Sequence, residues 1–508
     1  MDQTNYDTTN IQTVENKPNV TENQASVAPQ PIPIFETAHT KTLRANNMFF
    51  GPLTLAYAVF YTFCMYKNQG GITFPFFVAG TVAYLYLCVS KLGITLRKNS
   101  YFSMICAVLI SVSTVLTGDG WLWGWNKMAI LLLVVSVAID HFYETGKWSF
   151  GKWFTAFMRS TFGSFSCIHR PFTDAHAYNK ASGKKGVKTV MYVLLGVLIA
   201  IPVALIALAL LSSADAIFRE GLEKITEYLT LEDAMGIVWK MFAGFVGTYM
   251  FLAYLCKHMV KEKLTDTKTF EPIIGITATG ILTFIYLIFS GIQFAYLFIG
   301  NLKLPEGYTY AEYAREGCFE LFAVSVLNLV VVLAALAFFK ENKVLKGILV
   351  ILSLCTYVMI ASAALRMYMY ISAYHLTNDR VNVIWALATI AIIFVGVQIS
   401  IFKPDFKLFH YTRTVVAICY IILAFARPDY IVASYNLSQP EVTDQYYIGS
   451  LSTDAADAIA DNIDKLDPAC VNDFSYEVQN LEREQTFRNF NFSHARAIKL
   501  FGTKGSAR

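Results

Sequence analysis

A run of ionisable and aromatic residues opens one long apolar stretch: Tyr308, Tyr310, Glu312, Tyr313, Arg315, Glu316 and Glu320. Glu312 and Arg315 are three apart, a spacing at which side chains on a helix can pair. Glu320 follows about 12 Å further along a helix axis, and Asn328 a similar distance deeper. Arg366 and Arg380, with Tyr368, Tyr370 and Tyr374 between them, fall at the matching ends of the next two apolar stretches. An ionisable group in lipid costs about 2.5–3.5 kcal/mol on insertion scales, so a cluster at this depth calls for a cause. Tyr310, Glu312, Tyr313, Arg315, Glu320, Arg366, Tyr374 and Arg380 therefore form the candidate site, an outward-facing polar pocket that would bind a ligand or partner. The competing structural role is hydrogen bonding between helices, with Tyr and Arg anchored at headgroup depth.

Catalysis would have to rest on Glu312 or Glu320 as acid or base, with no nucleophile beside them. The chain has no Gly-rich phosphate loop, no G-x-S-x-G elbow, no H-E-x-x-H and no kinase signature, so no catalytic residue is assigned. Cys64, Cys88, Cys106, Cys256, Cys355 and Cys419 lie inside apolar runs, where a thiol behaves as a small hydrophobe. No CxxC or Cys/His spacing suggests zinc, and neither a metal nor a cofactor is expected. Gln293, Asn328 and Gln398 are expected to bond between helices. Asp140 and His141 are expected at the inner end of a span, within reach of solvent.

The elements that position these residues follow from composition. Of 508 residues, 55% are hydrophobic and only 15% charged, with a mean hydropathy of +0.45. A soluble domain carries about 25% charged residues, so much of this surface is not built for water. A helix needs roughly 20 apolar residues to cross the hydrocarbon core, and in lipid its backbone groups must bond internally. Eleven runs qualify: 48–66, 71–90, 101–117, 126–143, 189–213, 237–256, 273–299, 317–339, 345–366, 381–402 and 412–427. The expected fold is an all-α transmembrane bundle of about eleven spans.

Loops between spans alternate in charge. Lys91, Arg97 and Lys98 mark one basic side, as do Lys257, Lys261, Lys263 and Lys268, then Lys340, Lys343 and Lys346, then Lys403, Lys407 and Arg413. Loop 144–188 has eight basic residues, from Lys147 to Lys188, against Glu144 and Asp174. The intervening loops are poor in Lys and Arg; 214–236 is acidic and 117–125 carries Trp121, Trp123 and Trp125. Basic loops stay inside, which puts the N-terminus in and the C-terminus out. Within 144–188, Trp148, Phe150, Trp153, Phe154, Phe157 and Met158 among basic residues suit contact of 147–188 with anionic lipid. The net charge of +4 argues against nucleic acid as a partner.

The domain plan has five parts. Residues 1–47, rich in Asn, Thr, Gln, Glu and Pro, are a disordered cytoplasmic tail. The first four spans occupy 48–143, a basic amphipathic cytoplasmic loop 144–188, and seven further spans 189–427. From 428 to 508 the chain turns polar, with a strand-like stretch from Tyr430 to Tyr435 followed by helices over 455–466 and 472–488. This small, α-rich outer subdomain is too small to support a core easily and is expected to lean on the outer ends of the spans.

Tyr310-Ala311-Glu312-Tyr313-Ala314-Arg315 with Gly317 and Glu320-Leu321 resembles a hallmark of bacterial membrane proteins in domain-of-unknown-function family 4173, related to family 4153. Arg366-Met367-Tyr368, Tyr374-His375-Leu376-Thr377 and Arg380 resemble its Arg/Tyr-rich stretch, and Arg427 to Asn436 its post-helix segment. Ile448 to Ala455 is similar to a Leu-Ser-x-Asp-Ala motif, and Phe487 to Ser493 with Ala495-Arg496-Ala497 to its closing motif. Cys318 stands where the pattern has an aromatic, His375 where it has Gly, and Phe487 where it has Trp. The resemblance implies a fold and a bacterial plasma membrane location but no reaction. The reading that follows is a non-enzymatic sensor, scaffold or binding protein meeting an envelope protein or ligand at its outer face. The alternatives are a transporter of a small or lipid-like solute, or an embedded enzyme on a lipid or cell-wall precursor.

Overall fold

The computed structural model describes residues 36–182 apart from 69, 96, 144–147 and 149, then 196, 199–200, 203–204, 206–215, 231–258, 268, 270–295, 310–440 and 444–503. Met1–Glu36 separates from Thr37–Arg508, which is one unit. Of the expected tail, 1–35 lies outside the described residues, whereas Ala38–Ala45 forms helix α1, capped by Thr37, whose hydroxyl accepts from the Thr40 amide.

The described residues are helical and contain no strand. Long apolar helices follow α1: α2 (Asn47–Met65), α3 (Thr73–Lys91), α4 (Lys98–Leu116) and α5 (Gly120–Phe142). Two shorter helices come next, α6 (Phe150–Gly163) and, after a single 3-10 turn, α7 (Arg170–Ser182). The long series resumes with α8 (Leu231–Lys257), α9 (Pro272–Phe294), α10 (Tyr310–Phe338), α11 (Lys343–Tyr374), α12 (Asn378–Phe402) and α13 (Leu408–Ala426). Nine of the described helices are long and apolar enough to cross a membrane, and Ser100–Leu116 is a shorter apolar helix. In the span expected at 189–213, the described positions 196, 199–200, 203–204 and 206–213 are helical, and the others lie outside the described residues.

Sequence sets the helix ends. Pro272 opens α9 at a position where its missing N–H costs nothing. The Asn342 side chain caps α11 by accepting from Val344 and Leu345. Arg427 adopts the left-handed conformation (φ 52°, ψ 70°), ending α13, and Pro428 begins α14 (Pro428–Leu437) at once. That helix replaces the strand expected over Tyr430–Tyr435: Pro428 at N1 and Asp429 in the first turn favour helix, and Val432, Ala433, Asn436 and Leu437 form its buried face.

The last segment adds α15 (Gln445–Gly449), α16 (Ala456–Asp461), α17 (Pro468–Glu484) and α18 (Phe492–Phe501). These small helices share one core with α9 to α12: Val432, Ile448, Ala455, Ile459 and Phe474 are buried in the same cluster as Leu352, Met367 and Phe394. A second core joins α1, α2, α3, α5 and α8, and a third joins α3, α4 and α5 to α13. Outward faces are greasy. On α9, Ile273, Ile281, Phe284 and Ile292 are all more than half exposed, a surface suited to lipid and hostile to water.

Candidate functional site

The candidate pocket resolves into separate places. Tyr310, Glu312, Tyr313 and Arg315 lie in the first two turns of α10, with side chains outside the described residues. Glu320 is exposed on the same helix. Arg366 on α11 is buried (8% exposed) where α9, α10 and α11 meet. Its Nη2 lies 3.5 Å from Gln293 Oε1, which also accepts from the Ser362 hydroxyl at 2.9 Å. Gly317 makes room for it: a Cβ there would collide with the guanidinium.

Arg380 sits elsewhere, at the α11–α12 turn. It stacks 4.0 Å over the Tyr370 ring, which packs against Tyr374, and donates to the carbonyls of Tyr374 and His375. Its described partners are therefore a ring and two carbonyls. The deeper amides act as expected: Asn328 donates to Thr356 at 3.0 Å and Gln398 to the Val350 carbonyl at 3.5 Å.

A denser polar assembly joins the final segment to the same end of the bundle. Asp454 is fully buried. Its carboxylate accepts from the Thr117 hydroxyl at 2.5 Å and the Gly118 amide at 3.0 Å, and Arg427 Nε lies 3.6 Å away. Asp429 accepts from Asn378 and from the Ser452 amide. The Asn436 side chain brackets Leu376, accepting from its amide at 2.8 Å and donating to its carbonyl at 2.9 Å. Asn491 donates to the carbonyls of Thr114 (2.9 Å) and Thr117 (2.8 Å), the free ends of α4, and Trp123 Nε1 donates to the same two at 3.0 Å. Trp121 and Trp125 stay exposed, as an interface requires, while Trp123 turns inward. Arg488 backbone oxygen accepts from Asn68, and the Ile72 amide donates to the Phe490 carbonyl. A Cβ on Gly71 would strike Asn489, and one on Gly118 would strike Thr453.

Charge is crowded here. Asp119, whose side chain caps α5 through the Trp121 amide, is pushed up to about 6 by burial, then by Asp429 and more weakly Asp454. His494, ring to ring with Trp123 at 5.7 Å, is lowered by burial against an opposing pull from Asp454.

The opposite end of the bundle has its own locks. Asp140 and His141, expected within reach of solvent, are 2% and 3% exposed, because the start of α13 covers them. Asp140 Oδ2 pairs with Arg413 Nη1 at 2.7 Å, and His141 Nε2 faces the Arg97 amide at 3.4 Å. Asp174 in α7 is fully buried between Arg44 of α1 (3.3 Å) and Arg170 (3.2 Å), with the Tyr249 hydroxyl of α8 at 3.4 Å. Sequence reading missed Asp140, Asp174 and Asp454 as anchors. The signal was present in Asp174, one of only two acids in a loop with eight basic residues.

Helices of this length with lipid-suited outer faces define a multi-pass α-helical membrane protein. Residues 104–462 match the family described as Domain of unknown function (DUF4153), and the chain belongs to that family. The match takes in Arg366, Arg380, Arg413, Arg427, Asp429 and Asp454 and stops short of Asn491. No curated protein and no solved structure matches the chain.

Proposed function

We propose that the protein is a non-enzymatic sensor, scaffold or binding protein of the bacterial plasma membrane, with its final segment on the outer side. The observation that carries this reading is how the motif residues are used. Arg427, Asp429, Asn436, Asp454 and Asn491 are spent on fastening the polar cap to span ends. Their donors and acceptors face each other, an arrangement suited to holding a surface in shape.

The orientation rests on Lys and Arg gathering at the end of the bundle away from the cap, the side that remains in the cytoplasm. The motifs at 448–455 and 487–497 support the finer assignment to family 4173. The binding face is the rim where α10 to α12 reach the cap, with Glu312 and Arg315 as its polar groups and the buried Arg366 and Arg380 fixing the helix ends behind them. A partner of the envelope, protein or small ligand, would meet it there. The test is capture of partners from solubilised membranes by the wild type and by the Glu312→Gln, Arg315→Gln and Arg366→Gln triple variant. Loss of a captured partner, with the variant still folded, is expected; unchanged capture and unchanged phenotype would refute the reading. Impermeant thiol labelling of single cysteines at 165 and 460 in intact cells checks the orientation, with label expected only at 460.

A further inference from the structure

At the end of the bundle opposite the cap, α6 and α7 form a brace whose two faces differ. The inner face is closed by protein: Trp153 and Phe157 pack on Val135 and Ile139 of α5 and on Phe409 at the start of α13. The outer face is open and aromatic. Phe150, Phe154, Phe162, Phe165, Ile168 and Phe172 are all 42–65% exposed, and Phe150 stacks on Phe154 with ring centroids 6.3 Å apart.

The height of the brace follows from its contacts. Ile139 and Val135 lie three and seven residues before the end of α5. At 1.5 Å per residue the brace therefore lies about 5–10 Å inside the end of a span, the depth at which amphipathic helices insert between headgroups and acyl chains. Its charge fits the same place: Lys152, Arg159, Arg170 and Lys180 face one carboxylate, Asp174, which is fully buried and paired. No acidic side chain is exposed between residues 150 and 182.

We infer that the outer face of the α6–α7 brace is a membrane-surface site, seated in the headgroup–acyl boundary of an anionic leaflet. It continues the lipid-contacting surface of the spans beside it. Exposed aromatic rings enter the boundary while Arg159 and Lys180 stay at phosphate level. This site is independent of the binding rim at the other end.

Nitroxide labels on Phe154→Cys and Phe165→Cys in the full-length protein, reconstituted in phosphatidylcholine vesicles with and without phosphatidylglycerol, test it. The native thiols are buried or half-buried, so the new cysteine takes the label. Both labels are expected to be more accessible to oxygen and less to a polar nickel chelate than a label at Lys499, which is exposed on α18. The difference should widen when phosphatidylglycerol is added. Accessibilities equal to those at Lys499, or no response to the anionic lipid, would overturn the inference. So would spin–spin broadening that persists as protein is diluted with lipid, because a second copy would then cover the face. The labelled positions are exposed, so a folded protein is available in every arm.

Discussion

His375 holds a conformation that its side chain opposes. It ends α11 at φ 61° and ψ −168°, a region used almost only by glycine, at a cost of about 1–3 kcal/mol for other residues. Glycine would hold this backbone without strain, and the sharp turn it makes between α11 and α12 is where Arg380 donates to two carbonyls. His375→Gly should stabilise the protein by about 1 kcal/mol, after allowing for the greater freedom of glycine in the unfolded chain. Thermal unfolding in detergent measures this, and a lowered midpoint would contradict it. The surroundings of Cys318 and Phe487 are milder. Cys318 is fully buried against the Ala363 carbonyl of the neighbouring helix, a contact too close for a ring, and Phe487 is 79% exposed, where either aromatic would serve an interface.

At the scale of elements, α5 and α13 are pinned to one another near both ends. Asp140 meets Arg413 at one end, and the Tyr420 hydroxyl donates to Asn126 at 2.7 Å toward the other. Arg413→Gln would leave the Asp140 charge buried beside a neutral group, at a cost of about 3–5 kcal/mol. Replacing both residues with leucine should restore much of that loss, and chemical or thermal unfolding of the single and double variants separates the two outcomes. The pair also marks where sequence reading ran out. Helix positions were legible because a run such as Pro272–Phe294 has no charged residue in 23 positions, and lipid admits little besides helix. Asp140 was legible only as an acid near a span end. Its partner lies 273 residues away, and no local pattern encodes which helix packs there. The stretch Tyr430–Tyr435 misled for a related reason: its aromatic and β-branched residues suit a strand in isolation, and the proline before it decides otherwise. Gln293 and Asn328, read apart from the candidate site as interhelical bonds, behaved as their types suggest, whereas within the site Arg366 and Arg380, alike in sequence, occupy different surroundings.

For the whole molecule, pH acts through the joint between cap and bundle. Asp119 titrates near 6 in the fold against an ordinary value of 3.8, so the folded state binds its proton more tightly than the unfolded state. The resulting stabilisation is complete below 3.8 and is lost as pH rises through about 6. His494 works in the opposite direction, since its lowered affinity makes charging it costly as pH falls. Asp119→Asn isolates the first effect: the stability difference between variant and wild type should change across this window and level off on either side. Thermal midpoints at a series of pH values read it directly, and a difference flat across the window would contradict the assignment.

The joint also has a history in the making of the chain. Asn491 is synthesised 377 residues after Thr114, whose carbonyl it must satisfy. Of the two side chains that bond these α4 carbonyls in the fold, Trp123 is made within a few residues of them and Asn491 only after that interval. The early spans are thus inserted before they are finished, and the late residues close them like a keystone set after the arch has been raised.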